Sequence, residues 1–250
     1  MTVIRFIKVF LRNLIRFHPR YFYLVLKNQK LKGQQIIERR NIFIITSCIN
    51  TYDNNEYVNH NYEHLPKDRL AEVLVGLKSV WKNYTERYII FIESSKISNE
   101  DEKQIRIFVD EYHNYCEAES IKIARQHYNK GVPQFAALVK FIEENGDNYC
   151  ADIFHFLGAR YILKANITNE INFSGTYFLY YPQNKNVSTR YFFMKQLRLS
   201  DILGPFRKTL YCSILGNSVE DFLHRFSCEV RFVDKLEISG KVNGVELVNE

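Results

Sequence analysis

Residues 148–163, NYCADIFHFLGARYIL, decide how the rest of the chain is read. An apolar run ends in Gly158-Ala159-Arg160-Tyr161, and Asn145-Gly146-Asp147 interrupts the pattern that precedes it. In an open α/β sheet, ligands lie beyond the carboxyl ends of the strands, so an arginine after a Gly-Ala turn marks a candidate anion or substrate site. That reading needs a parallel sheet around the strand, and the upstream sequence supplies one.

Residues 41–48, NIFIITSC, form a β-branched apolar run suited to a buried parallel strand. The polar stretch 50–64 lacks periodicity and reads as a loop. Pro66 then introduces an amphipathic helix over 67–83, with Leu70, Val73, Leu74, Leu77, Val80 and Trp81 on its inner face. A second strand follows at 87–93, RYIIFIE. Ser98 caps a helix expected over 99–112, with Glu102 completing the capping sequence. A third strand is expected at 119–124, a helix at 133–144 and the fourth strand at 149–157. Strands alternating with helices at this spacing predict an α/β fold, a mostly parallel sheet with helices on both faces. Beyond Lys164 the expected elements are strands at 175–181 and 190–194 and helices near 197–206 and 219–226.

The chain has 250 residues, 46% apolar and 25% charged, enough to bury a full core and too apolar for a mainly disordered protein. Five cysteines, an odd number without a Cys-x-x-Cys pair, fit reduced thiols better than a disulfide framework. The net charge of +6 is unevenly spread. Residues 1–40 hold ten Lys or Arg against one acid, which leaves 24 basic and 27 acidic residues in 41–250. Two regions are therefore expected: a basic amphipathic extension, 1–40, and a single domain, 41–250.

Arg5, Lys8, Arg12 and Arg16 fall on one helical face of the extension, and Val3, Phe6, Phe10, Leu14 and Phe17 on another. A helix of this kind is drawn to an anionic membrane interface, and it also suits packing against the body with a solvated basic edge. Charges recur too often for a membrane span or a cleavable signal peptide. The expectation is a cytoplasmic protein peripheral to the inner face of the membrane. Nucleic acid is not an expected partner, because no recognition motif accompanies the basic residues.

The order of several short sequences resembles a group of bacterial and viral glycosyltransferases of the GT-A type. They are IITSCIN (44–50), RLAEVLVGLKSV (69–80), RYIIFIESS (87–95), NKGVPQFAALVKFI (129–142), HFLGARYIL (155–163), VSTRYFFM (187–194) and SVEDFLHRF (218–226). The resemblance implies a GT-A-like fold and transfer of a sugar from a nucleotide-sugar donor to a cell-surface glycan or lipid-linked acceptor, as in polysaccharide or lipopolysaccharide synthesis. It places Ser47, Asn50 and Thr51 where such a sheet receives the nucleotide. Arg69, Lys130, Arg160 and Arg190 become the cations near its phosphates.

The chain departs from that group in one respect. Many GT-A enzymes hold a divalent metal through Asp-x-Asp, and no Asp-x-Asp occurs here. Arginine and lysine can neutralise a departing diphosphate without a metal, and this is the expected arrangement. The alternative is a divalent metal on dispersed ligands. For a base acting on the acceptor hydroxyl the candidates are Glu220, Asp221 and His155. Ser218-x-x-Asp221 also reads as a helix cap, with Glu220 serving the helix dipole, and a lone strand histidine also suits the core.

His60-x-x-Glu63-His64 fits an inverted zinc-protease pattern but lies in a polar loop without a helix to hold it, so a chance match is the better reading. No Gly-x-Gly-x-x-Gly, P-loop or Gly-x-Ser-x-Gly is present, which disfavours Rossmann dehydrogenases, P-loop kinases and α/β-hydrolases. A non-catalytic GT-A-like protein that docks partners at a membrane remains the alternative to a transferase.

Overall fold

The computed structural model describes residues 36–50, 66–127, 131–167, 174–183, 185–227, 229–242 and 246–249. Strand β1 (Ile37–Ser47) is buried on both faces from Asn41 to Ile45, as a central parallel strand must be. Helix α1 (Pro66–Asn83) returns the chain to β2 (Tyr88–Glu93), which pairs parallel with β1. Helix α2 (Asn99–Arg106) leads to β3 (Glu111–Asn114), parallel to β2 at the sheet edge. Helices α3 (Glu119–Ala124) and α4 (Gly131–Asn145) then carry the chain across to β4 (Tyr149–Gly158) on the other side of β1.

From there the sheet becomes mixed. Strand β5 (Ile162–Leu163) leaves the main sheet, and β6 (Gly175–Tyr181), β7 (Asn186–Val187) and β8 (Tyr191–Arg198) extend it. Helices α5 (Leu203–Ile214) and α6 (Val219–Phe226) precede β9 (Val230–Val233). The eight-stranded sheet has the order β3-β2-β1-β4-β8-β6-β7, and β9 pairs parallel with β6. β8 is antiparallel to both β4 and β6. A small antiparallel sheet joins β5 to β10 (Ile238–Val242) and β11 (Glu246–Asn249).

Alternation along the central strands divides the core in two. Ile42 and Ile44 join a cluster with Val139, Ile142, Phe206 and Leu223, residues of α4, α5 and α6. Phe43 and Ile45 face the opposite way, against Val73, Leu77 and Val80 of α1. The strand period of two thus supplies both helical layers from a single run of sequence. The α/β class and helices on both faces are as expected from the sequence.

Three local expectations are corrected. Residues 119–124, ESIKIA, are helix α3 and not a strand: Ile121 and Ala124, three apart, are the two buried positions. The third strand is instead EYHN of β3, polar because it is paired on one side only at the sheet edge. The helix expected to reach Tyr112 ends at Arg106, where Phe108 N–H turns back to the Ile105 carbonyl and Asp110 Oδ2 accepts from Ile89 N–H at 2.7 Å. Residues 197–198 continue β8, since Leu197 and Arg198 pair with Ala151 and Cys150, and the helix begins at Leu203.

Residues 37–40 also pair with β4 or extend β1, so the strand begins four residues before the apolar run that announces it. The amphipathic helix expected within 1–40 lies outside the described residues, as does the histidine motif at 60–64. Among the described residues no helix is long and apolar enough to cross a membrane.

Candidate functional site

The carboxyl ends of β1, β2 and β3 meet around one carboxylate. Glu93, the last residue of β2, is fully buried, and its Oε1 accepts from Ile49 N–H (3.3 Å), Ser94 N–H (3.0 Å), Ser95 N–H (2.8 Å) and Ser95 Oγ–H (2.6 Å). Asn50 N–H donates in turn to Ser95 Oγ at 2.9 Å, and Ser94 donates through both N–H and hydroxyl to the Ser47 carbonyl. Asn114 Nδ2 reaches the Ser95 carbonyl at 3.3 Å. A lost acceptor here leaves several buried donors unsatisfied, at about 1–3 kcal/mol each. Glu93 thereby fixes the backbone at Ile49 directly and at Asn50 through Ser95, just beyond β1. Burial pushes its carboxyl above the usual range, although the hydrogen bonds it accepts oppose that shift.

Two arginines stand at this end. Arg69, in the first turns of α1, is nearly buried and donates Nη1 to the Cys48 carbonyl at 3.0 Å. Arg125, immediately after α3, lies near enough to Cys48 and Cys116 for its charge to favour their thiolates. Burial and the Glu93 charge outweigh that at Cys48, whose thiol is pushed up to about 11 and stays protonated at neutral pH. The serine hydroxyls, the Asn50 N–H and Arg69 Nη1 are thus engaged within the protein, and what this end of the sheet carries toward an anion is the positive charge of Arg69 and Arg125.

The Gly-Ala-Arg-Tyr turn closes the next strand. Gly158 N–H donates to the Arg190 carbonyl at 2.8 Å, Ala159 N–H to the Thr46 carbonyl at 3.0 Å, and Tyr161 N–H to the Gly158 carbonyl at 3.0 Å. The turn therefore links β1, β4 and the start of β8. Arg160 does not stand alone there: its Nη1 lies 3.5 Å from Glu72 Oε2 of α1, with both side chains largely covered. An ion pair holds the arginine against α1 and reduces the charge it presents to an anion.

Antiparallel pairing of β8 with β4 brings Arg190 to the same edge, because Tyr191 pairs with Leu157 at the end of β4. Arg190 Nη1 donates to the Tyr181 hydroxyl at 2.9 Å, and its neighbour Thr189 donates Oγ1–H to Glu220 Oε1 at 3.0 Å. Glu220 lies in the first turn of α6, whose Ser218 Oγ accepts from Asp221 N–H at 3.1 Å. The Ser218-x-x-Asp221 sequence is thus a working helix cap, and Glu220 is the carboxylate directed to the β7–β8 connection.

His155 is elsewhere. It is fully buried in the sheet, stacked on Phe43 with ring centroids 4.1 Å apart. Asn41 Nδ2 donates to the Glu86 carbonyl at 2.9 Å, which turns Asn41 Oδ1 toward His155 Nε2 at 3.1 Å. Nε2 therefore carries the proton and Nδ1 accepts from the Tyr191 hydroxyl at 2.8 Å. Both ring nitrogens are engaged away from the strand ends.

The strand edge thus brings together Ser47, Asn50, Arg69, Arg160, Arg190 and Glu220, with Asp221 serving its cap and His155 in the core. Thr51 and Lys130 lie outside the described residues. Sequence reading did not single out Glu93 or Arg125. A carboxylate closing an apolar strand was the available signal for the first; nothing local marks the second. Among the described residues no three His, Cys, Asp or Glu side chains converge as a metal site.

No family model and no curated protein matches the chain. Among solved structures, it is similar to the galactosyltransferase LgtC in complex with donor and acceptor sugar analogs, at 10% identity over 77% of this chain and 72% of that one, with a TM-score of 0.47. It is similar also to the glycosyltransferase GlyE of Streptococcus pneumoniae TIGR4, at 10% identity and a TM-score of 0.47, over 79% of this chain but 46% of GlyE. The mannosyltransferase Ktr4p of S. cerevisiae gives 9% identity over 90% of this chain and 84% of that one, with a TM-score of 0.43. Identities near these levels with TM-scores below 0.5 carry no argument about activity.

Proposed function

We propose that the chain is a glycosyltransferase that moves a sugar from a nucleotide-sugar donor to a glycan or lipid-linked acceptor. The observation that carries this reading is the division of the strand edge into two chemistries. Over β1 and β2 lie the cations Arg69 and Arg125, whose charge suits the phosphates of a nucleotide. Over β8 and α6 lies the Thr189-held carboxylate of Glu220, suited to receiving a hydroxyl proton, with Arg190 beside Thr189 as a further cation for the phosphates. The order of the sequence motifs supports the same reading.

In this scheme the donor lies across the β1–β4 edge with its diphosphate among Arg69, Arg125 and Arg190, and Glu220 deprotonates the acceptor hydroxyl as it attacks the anomeric carbon and the diphosphate departs. Arginine and lysine stabilise the departing diphosphate in place of an Asp-x-Asp-bound metal. The basic segment 1–40 brings the enzyme to the inner face of a membrane, where polysaccharide or lipopolysaccharide acceptors are lipid-linked.

Calorimetric titration of UDP, GDP, CDP and dTDP and their common sugar conjugates, with a divalent ion and with a chelator, tests the reading. The expected result is binding of one nucleotide class that survives chelation, and turnover reduced about 10–100-fold in Arg190→Ala through loss of a charge-assisted contact. Absence of binding and of donor hydrolysis across the panel rejects it. One observation favours a second reading, a non-catalytic docking protein: Glu72 already compensates Arg160. That reading requires cleft substitutions to be silent while deletion of 1–35, which spares β1, abolishes function.

A further inference from the structure

Beside α6 the sheet leaves an aromatic side chain half exposed. Phe232 of β9 is 53% exposed, an unusual placement for a phenylalanine beside a packed sheet. It stands 4.7 Å from the Tyr180 ring at an interplanar angle of 35°, and 6.4 Å from the ring of His224. Tyr180 and His224 are themselves 6.3 Å apart, edge to face. Three rings from β6, β9 and α6 thus form one half-open aromatic surface.

Its position follows from two periodicities. His224 is four residues beyond Glu220, so both occupy the same face of α6. Along β6 the strand period of two puts Tyr180 on the face of Phe178, toward the core cluster that includes Leu223 of α6, and turns Tyr181, with its Arg190 contact, to the other face. The rings therefore adjoin the Glu220 face of α6 and not Arg190. Burial and the adjacent Arg225 lower the His224 pKa, which keeps the imidazole neutral at physiological pH and the surface uncharged.

We infer that Tyr180, His224 and Phe232 form the subsite for a pyranose ring of the acceptor, which stacks its apolar C–H face on the rings while a hydroxyl reaches Glu220. A sugar ring presents carbon-bound hydrogens on its faces and hydroxyls at its rim. A surface that recognises it needs aromatic rings beside hydrogen-bonding groups, and this one has both. A flat aromatic supplies that contact at little entropic cost and without a charge. The inference rests on the glycosyl-transfer reading for the role of Glu220, whereas the stacking surface is tested independently of turnover.

The test is fluorine NMR of the full chain labelled with 4-fluorophenylalanine, with the Phe232 resonance identified by its disappearance in Phe232→Leu. The probes are methyl β-glucoside, methyl β-galactoside and N-acetylglucosamine at about 100 mM, which populates a site of millimolar Kd, with glycerol as control. The expected result is a saturable shift of the Phe232 resonance with at least one pyranoside and not with glycerol. Affinity should fall about tenfold in Tyr180→Ala when one stacking ring is lost. The inference is overturned if the Phe232 resonance does not move with any of the three sugars, if it moves equally with glycerol, or if sugars shift other resonances only. Nucleotide binding with an unmoved Phe232 leaves the transferase reading standing without this subsite. A sugar-shifted Phe232 in a chain that binds no nucleotide leaves the sugar surface standing and removes the transferase reading.

Discussion

His155 shows how one side chain can tie a fold to pH. Desolvation lowers its pKa from 6.5 to about 3, and the imidazole is neutral between Asn41 and Tyr191. The unfolded chain therefore takes up a proton below pH 6.5 that the folded chain rejects, and stability falls with pH through that window. For a single group the slope approaches about 1.4 kcal/mol per pH unit. Urea denaturation between about pH 7 and about pH 5 should show the wild type losing about 2 kcal/mol more than His155→Gln over that range. The variant starts lower by about 1–3 kcal/mol because two buried partners lose an acceptor or donor. Parallel pH profiles would mean that the buried imidazole does not exclude the proton. At this scale, the sequence offered His155 as either a base or a core residue. Only its partners, Asn41 at 114 residues' separation and Tyr191 at 36, decide for the core.

Helix α1 depends on a missing side chain. A Cβ on Gly76 would lie 2.4 Å from the Ala159 carbonyl oxygen, and that oxygen belongs to a turn held by hydrogen bonds to Thr46 and Gly158. Alanine favours a helix over glycine by up to about 1 kcal/mol, but backbone cannot swing aside as a long side chain can. Gly76→Ala is expected to destabilise by about 1–3 kcal/mol and to lower Tm. Gly204→Ala in α5, where nothing lies within 4 Å of the added carbon, should be neutral or slightly stabilising. Equal Tm changes in the two variants would refute the close approach. The same element scale explains which segments were misread. ESIKIA has apolar residues two apart as well as three apart, so its period is ambiguous, and EYHN has no apolar run at all. The edge of the sheet accepts the second as a strand because β2 already offers its hydrogen bonds.

Taken whole, the molecule is an α/β sheet whose candidate edge is assembled from both ends of the described chain, and whose net positive charge comes from residues 1–40 of the sequence. The ten basic residues of 1–40 predict attraction to anionic lipid that weakens with salt. Vesicle co-sedimentation should therefore show binding to phosphatidylserine-containing membranes and little to zwitterionic ones, lost on deletion of residues 1–35 while cooperative unfolding of the remainder persists. Retained vesicle binding after the deletion would move the contact to the body. The amino-acid sequence by itself determined the class of fold, because a parallel strand must be apolar on both faces and its helices must bury one stripe; these are local periodicities that survive without any knowledge of neighbours. Its resemblance to GT-A-type enzymes offered Ser47, Asn50, Arg190 and Glu220 as candidates, which remain proposals. Only the tertiary structure decided that Arg160 is paired with Glu72, that Glu93 gathers the hydrogen bonds of Ile49, Ser94 and Ser95, and that Phe232 stands beside Tyr180 and His224 of α6. Those relations join residues far apart in the chain, and pairing across a sheet is settled by register and packing, which no single segment encodes.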